Sequence, residues 1–148
     1  MSARFPSGVG TTYNAGEFSA MAAIRSMSDN NTTTDAGQLA EDLAASFLQR
    51  KGLAVLARNY RCRGGEIDLI CRDGKSLVFV EVRLRRNSAF GGAGASITAA
   101  KQRRVILAAQ HYLSANGKHD CDCRFDCILL EDMDERHIEW IRDAFSAD

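Results

Sequence analysis

The stretch from Gly65 to Arg83 constrains the fold of this chain most strongly, because it predicts a β-hairpin. Apolar and polar residues alternate on both sides of Asp73-Gly74, which gives two runs with the two-residue period of strands. An Asp-Gly pair between such runs favours a tight turn, since glycine adopts the positive φ that a primed turn requires. The two runs are therefore expected to pair as neighbouring antiparallel strands.

The predicted register gathers charged side chains on one face of this hairpin. With Asp73-Gly74 as the two-residue loop, Glu66 lies opposite Glu81. Asp68 lies diagonal to Glu81, about 7 Å away, and Arg83 shares their face. Like charges at this distance repel, and a half-buried carboxylate becomes neutral unless a cation compensates it. The candidates for that cation are a divalent metal ion and Arg83.

The remaining periodic segments predict one small α/β domain. Nearly half of the 148 residues are hydrophobic, which is enough for a single core. Asp35 and Thr98 are the expected helix caps. Besides the two hairpin strands, the predicted elements are helices over about 36–51 and 98–115 and strands over 53–60, 123–130 and 136–141. The order αβββαββ predicts a mixed sheet flanked by helices.

Residues 1–35 are predicted to form a disordered leader in front of a domain that spans residues 36–148. The leader is rich in Ser, Thr, Asn, Gly and Ala and has few large apolar residues to offset the entropy of ordering. Two alternatives stay open, a transit segment and a reading frame that begins at Met27.

Composition also bears on where the protein acts. The chain has no apolar run near the roughly 18 residues that span a bilayer, and its start lacks the apolar stretch of a secretory signal. Its five cysteines are odd in number and irregularly spaced, which fits a reducing compartment better than a disulfide framework. We expect a cytoplasmic protein without a membrane partner.

Charge is unevenly distributed along the chain, although it sums to zero. Residues 50–104 carry thirteen Lys and Arg against four Asp and Glu, a net charge of +9. Residues 120–148 carry ten acidic residues against three arginines, a net charge of −7. This polarity suits a protein with one surface for a polyanion. Two segments that neutralise each other across the fold are an equally good explanation.

Three groups of basic residues are candidate phosphate contacts. One precedes the hairpin, one follows it at the start of a glycine-containing loop that we expect to be mobile, and one occupies the first turns of the second helix. Cations there oppose the helix dipole, and a bound phosphate would relieve that cost. Solvated surface charge is the alternative for each group. The candidate nucleic-acid-binding residues are Arg58, Arg61, Arg63, Arg85, Arg86, Lys101, Gln102, Arg103 and Arg104.

Four short blocks stand in order along the chain. They are GQLAE at 37–41, GEIDLI at 65–70, VFVEVR at 78–83 and ITAAKQRR at 97–104. Together they resemble the YraN-like family of uncharacterised bacterial proteins, which is similar to the restriction-endonuclease-like, or PD-(D/E)XK, nuclease superfamily. The resemblance covers residues 35 to 145, roughly the whole predicted domain.

The resemblance implies a metal-dependent nuclease or DNA-processing protein that acts on phosphodiester bonds. It makes Asp68 and Glu81 ligands of Mg²⁺ or Mn²⁺, which prefer oxygen donors. The Val82 carbonyl is a further candidate ligand, and Glu41 is an accessory acid from the first helix. The partner that it implies is nucleic acid, expected to be DNA.

Arg83 departs from the superfamily pattern, which has lysine at this position. The pKa of a lysine can fall far enough for the residue to assist the attacking water, whereas arginine stays charged and acts as a donor and electrostatic stabiliser. In a nuclease, we therefore assign Arg83 to transition-state stabilisation. The alternative is a catalytically silent nucleic-acid-binding module, in which Arg83 takes the place of the metal beside Glu81 or Glu66.

Overall fold

A computed structural model describes residues 32–84 and 97–147 of the chain. These residues form five strands and two helices in the predicted order αβββαββ, which confirms the α/β fold class. The elements are α1 (Thr32–Arg50), β1 (Ala54–Cys62), β2 (Gly65–Asp73), β3 (Ser76–Leu84), α2 (Ala99–Ala115), β4 (Cys123–Leu130) and β5 (Ile138–Phe145). Most of the predicted leader, the predicted mobile loop, Arg85 and Arg86 lie outside the described residues.

The first helix begins earlier than predicted. α1 starts at Thr32 and not at about Ala36, so Asp35 is not its N-cap. The division into a leader over residues 1–35 and a domain over residues 36–148 stays a prediction. Asp35 instead lies in the first turn, where a negative charge interacts favourably with the helix dipole. An aspartate fits a cap and a first turn equally well, which explains the displaced boundary.

The second helix begins and the last strand ends at positions that local hydrogen bonds explain. Thr98 caps α2 as predicted, because its side chain accepts a hydrogen bond from the Lys101 backbone N–H. The last strand was predicted over 136–141, but a 3-10 helix at Glu135–His137 precedes it and displaces its start. The Asp134 side chain caps that turn by accepting from the Arg136 N–H.

All five strands form one mixed sheet, with spatial order β1-β2-β3-β4-β5. β3 and β4 are parallel, and the other three neighbouring pairs are antiparallel. Parallel neighbours need a crossover connection, and α2 lies within it. In the inner strand β4 all residues except Arg124 are buried, as expected for a strand that is covered on both faces.

The two helices cover opposite faces of the sheet and give two core layers. One layer consists of buried α1 residues packed against alternate sheet residues, among them Ala40, Ala44, Leu48, Leu69, Val80 and Ile128. The other consists of buried α2 residues packed against the opposite face, among them Val105, Ala108, Tyr112, Ile67, Phe79 and Phe125. In the part of the chain described here, neither helix is both long and apolar enough to cross a membrane.

The hairpin turn lies one residue later than predicted. Asp73 pairs with Ser76, which leaves Gly74-Lys75 as the two-residue loop. Gly74 has a φ of 60°. A positive φ at the first loop residue is what a type II′ turn requires, and the glycine therefore takes the first loop position instead of the second.

This turn corrects the predicted register. Glu66 does not face Glu81, and Phe79 faces Ile70 instead of Asp68. The last pair of the ladder joins Leu69 to Val80, so the next positions along the two strands bring Asp68 level with Glu81. The two carboxylates are direct neighbours, not diagonal ones. The pairing of β2 with β3 differs from the predicted pairing by two residues. Because this is an even number, each side chain stays on its predicted face of the sheet.

β2 departs from strict alternation at Asp68. Ile67 and Ile70 both pack in the core layer of α2, although they are three positions apart, while Leu69 packs in the layer of α1. The register with β1 places Asn59 opposite Asp68, and Asn59 has a φ of 50°. Backbone in this left-handed region is unusual for residues other than glycine and clusters at functional sites.

Gly65 brings β2 and α2 unusually close together. A Cβ atom at this position would lie 2.4 Å from the Arg104 carbonyl oxygen and 3.0 Å from the Ala108 backbone nitrogen. Only a residue without a side chain fits there, because both atoms belong to the helix backbone. The contact holds the second and third turns of α2 against the strand that carries Asp68.

Candidate functional site

The centre of the site is a pair of carboxyl groups from neighbouring strands. Asp68 of β2 and Glu81 of β3 lie close enough for a hydrogen bond between them to influence both pKa values, and such a bond forms only when one of them carries a proton. Burial, followed by the negative charge of Asp68, raises the pKa of Glu81 to about 8. Burial also raises the pKa of Asp68, although a 2.8 Å hydrogen bond from the Val82 N–H to Asp68 Oδ2 opposes that shift.

Glu81 is a buried acid whose polar atoms are incompletely satisfied. Its relative exposure is 6%. Glu81 Oε2 is buried and accepts no hydrogen bond from any nitrogen or hydroxyl group of the described residues. A buried acceptor without a partner carries a desolvation penalty. A proton shared with Asp68 or a cation beside Oε2 would compensate it.

Lys101 of α2 supplies an ammonium group to these carboxylates. Its Nζ lies 2.9 Å from Glu66 Oε1 and 3.6 Å from Glu81 Oε1. Burial alone would lower the pKa of Lys101, but the hydrogen bond to Glu66 and the charges of Glu81 and Asp68 raise it. Lys101 therefore stays charged beside the carboxyl pair.

Glu66 joins the carboxyl pair to the basic residues. Besides Lys101, Arg104 approaches Glu66 at 3.6 Å and Arg61 approaches it at 3.9 Å. The hydrogen bond from Lys101 lowers the pKa of Glu66, in contrast with its neighbours Asp68 and Glu81. Three of the predicted phosphate contacts thus meet around one ionised glutamate.

Glu41 reaches the site from the opposite face, on α1. Burial, followed by the charge of Asp68, raises its pKa to about 7. Asn59 Nδ2 donates a 2.9 Å hydrogen bond to Glu41 Oε2. The left-handed backbone of Asn59 accompanies this contact, so the irregularity in β1 coincides with the position of the accessory acid.

The remaining predicted site residues are distributed around this centre. Arg58 pairs with Asp42 of α1 at 2.6 Å, on the side of Glu41. Gln102 donates to the Ile97 carbonyl oxygen at 3.1 Å. Arg63 and Arg103 are exposed, and Arg83 is half-buried and interacts electrostatically with Glu81. Their proposed contacts with nucleic acid stay predictions.

The donor set fits a hard divalent cation. The described residues contain no group of three His, Cys, Asp or Glu side chains that could hold a metal by themselves. Mg²⁺ commonly binds through one or two carboxylates and keeps several water ligands, so a pair is a sufficient protein contribution. Asp68 and Glu81 supply that pair, and the unsatisfied Glu81 Oε2 is the observation that favours a cation between them.

Two features of the site were not predicted from the sequence. Asn59 received no role, although an asparagine within a run of strand residues is a signal for left-handed backbone. Lys101 was predicted as a phosphate contact, without any indication that it would bind Glu66 and approach Glu81. Lys101 and Glu66 are 35 residues apart in sequence, so no local pattern indicates that they lie close together in space.

Comparison with known proteins identifies relatives over most of the chain. A protein from Dechloromonas aromatica is 67% identical over 119 residues, which are 80% of this chain and 95% of that protein. One from Methylobacillus flagellatus is 56% identical over 111 residues, 75% of this chain and 96% of that protein. One from Nitrosomonas europaea is 57% identical over 109 residues, 74% of this chain and 92% of that protein. Each of the three is named a UPF0102 protein.

A family model covers the site itself. The model of the uncharacterised protein family UPF0102 matches residues 40–130, which include Glu41, Asp68, Glu81 and Lys101. The match confirms the resemblance to the YraN-like family, and the mixed sheet with helices on both faces is consistent with the superfamily. The chain belongs to the uncharacterised protein family UPF0102.

Proposed function

We propose that this protein is a metal-dependent nuclease that acts on the phosphodiester bonds of nucleic acid, most readily DNA. The observation that carries the proposal is the Asp68–Glu81 pair, in which Asp68 is half-buried, Glu81 is buried, and Glu81 Oε2 has no hydrogen-bond donor in the described part of the chain. Fold stability gains nothing from such an arrangement. A divalent cation would satisfy both carboxylates at once.

Asp68 and Glu81 would hold Mg²⁺ or Mn²⁺, with the Val82 carbonyl as a candidate further ligand. The metal would supply a Lewis acid and an activated water at neutral pH. Glu41 lies close enough to interact with Asp68 and has a pKa of about 7, so it is the residue of this chain best suited to accept a proton. Asn59 orients it through the hydrogen bond to Oε2.

Basic residues on one side of the pair are suited to hold the phosphate backbone. Arg61 and Arg104 surround Glu66, and both are exposed, as are Arg63 and Arg103. Clustered exposed cations give a binding energy that depends little on base sequence. Arg83 would stabilise charge on the phosphate, because arginine stays protonated at any pH of interest.

Cleavage of single-stranded, duplex and branched DNA with Mg²⁺ or Mn²⁺, and again with a chelator, tests the proposal. We expect cleavage that the chelator abolishes. Asp68→Asn should lower its rate by at least about 100-fold, since it removes a metal ligand. The exposed Asp120 provides the matched control, and Asp120→Asn should cleave as the wild type does. Cleavage that survives Asp68→Asn would contradict the proposal.

One observation favours a second function, a nucleic-acid-binding module without cleavage. Two cations already act on Glu81, because Lys101 lies 3.6 Å away and Arg83 interacts with it electrostatically. They would compensate the carboxylates in the absence of a metal. If this second function is correct, neither metal produces cleavage of these DNAs. The protein then binds the same DNAs equally well with and without the chelator.

A further inference from the structure

We propose that Lys101, not Arg83, is the resident counter-cation of the Asp68–Glu81 pair, which a divalent metal must displace and whose ammonium group then contacts the substrate phosphate. The contact with phosphate rests on the proposed function. The role as counter-cation does not, because it concerns only this chain and a metal ion.

The first support is geometric. Lys101 Nζ lies within 3.6 Å of Glu81 and 2.9 Å of Glu66, and its side chain is only 22% exposed. Its helix is fixed at this point, because the Lys101 backbone N–H donates to Thr98 Oγ1 at 3.1 Å. The close contact at Gly65 holds the next turns of α2, at Arg104 and Ala108, against β2. Two independent contacts, the Thr98 cap and the packing at Gly65, therefore fix the part of α2 that carries the ammonium group.

The second support is the comparison with Arg83. Both Lys101 and Arg83 interact electrostatically with Glu81, but Lys101 also interacts with Asp68 and binds Glu66 at 2.9 Å. Arg83 belongs to β3 itself and occupies the position where the superfamily has its lysine. A lysine from α2 thus brings an ammonium group to the carboxylates although the motif position holds arginine.

The third support is that Glu66 can retain Lys101 when a metal binds. A divalent cation at Asp68 and Glu81 would repel an ammonium group that lies 3.6 Å from Glu81 Oε1. Glu66 is ionised and holds Lys101 by the shorter contact, so the side chain loses one carboxylate and keeps the other. The ammonium group of Lys101 would then lie beside the metal, where it could contact the negatively charged phosphate of the substrate.

Titration of the full-length protein with Mn²⁺, followed by calorimetry, tests the role as counter-cation. We expect Lys101→Met to bind Mn²⁺ roughly tenfold more tightly than the wild type, because removal of a nearby positive charge lowers the repulsion. Lys101→Arg keeps the charge and should bind Mn²⁺ as the wild type does. Lys118→Met makes the same change at an exposed lysine just beyond the other end of α2 and should have no effect.

Affinity for DNA in the presence of Ca²⁺, which needs no turnover, tests the contact with phosphate. Lys101→Met should weaken binding of single-stranded and duplex DNA at least about fivefold relative to Lys118→Met, despite its tighter metal binding. Metal affinity and DNA affinity would thus move in opposite directions. A merely structural lysine would lower both or change neither.

The outcomes separate this inference from the proposed function. Mn²⁺ affinity that is unchanged or weaker in Lys101→Met, or binding of Mn²⁺ by neither protein, would overturn the role as counter-cation. Unchanged DNA affinity would overturn the contact with phosphate, even if the wild type cleaves DNA. A wild type that never cleaves would refute the nuclease and leave the metal titration decisive. Lys101→Gln repeats each measurement if the methionine variant does not fold.

Discussion

Asp126 and Glu81 are the two buried acidic residues among the described positions, and they have opposite surroundings. They lie on neighbouring strands, and Asp126 pairs with Val80, so their side chains point to opposite faces of the sheet. Asp126 is completely buried and accepts hydrogen bonds from Arg124, the Trp140 indole N–H and the Asp143 backbone N–H. Glu81 has one oxygen without any such donor.

The difference separates a structural carboxylate from a functional one. The donors of Asp126 come from its own strand and from β5, so the network fastens the edge strand to the sheet. Arg124 also donates to Asp73 at 3.2 Å and extends the network to β2. Burial of a carboxylate is tolerated when hydrogen bonds and an opposite charge compensate it. Glu81 has cations nearby, with Lys101 at 3.6 Å, but its Oε2 lacks the hydrogen bonds that satisfy Asp126, and a ligand could supply that missing partner.

Replacement of Asp126 should give the largest loss of stability. Asp126→Ala leaves Arg124 beside an empty buried position and removes acceptors from Trp140 and the Asp143 N–H. We expect the free energy of unfolding to fall by about 3 to 5 kcal/mol. Urea denaturation measures it, with Asp120→Ala as the exposed control. A loss below about 1 kcal/mol would contradict the role of Asp126 as a structural carboxylate.

Replacement of Glu81 should change the free energy of unfolding less than replacement of Asp126 does, by an amount that depends on pH. The folded protein holds a proton at Glu81 up to about pH 8, whereas the unfolded chain releases it near 4.5. Between these values the folded state binds more protons, so its stability falls as the pH rises. We expect a loss on the order of 2 kcal/mol between pH 5.5 and 8.5, without added metal, and a smaller one in Glu81→Gln.

Urea denaturation across this pH range measures the effect, with the exposed Glu139→Gln as the control that keeps the wild-type slope. Burial and the charge of Asp68 also raise the pKa of Glu41, so part of the slope should remain in Glu81→Gln. Equal slopes in the wild type and in Glu81→Gln would mean that Glu81 ionises in the folded protein as it does in water.

A divalent metal should give the smallest of the three effects. At pH 8, millimolar Mn²⁺ should raise the melting temperature of the wild type by about 3 °C, because it binds the folded state alone. Glu81→Gln should lose most of that shift, whereas Glu139→Gln should keep it. Thermal unfolding with and without chelator provides the measurement. An equal shift in both variants would place the metal away from the carboxyl pair.

Local patterns determined much of the fold. The order of elements, the cap at Thr98, the strand at Cys123–Leu130 and the presence of a hairpin follow from periodicity and from the few residues that tolerate unusual backbone. The four sequence blocks also identified the family correctly. These features depend on neighbours within a few positions, and the sequence displays those neighbours directly.

The tertiary structure decided how the carboxylates meet. The turn moved to Gly74-Lys75 because glycine is needed at a different loop position, and this step changed Asp68 from a diagonal to a direct neighbour of Glu81. Lys101 approached them only because α2 packs closely on β2 at Gly65. The sequence alone determined which residues carry charge. Distances between distant elements, which set burial and pairing, arise only when both helices pack on the sheet.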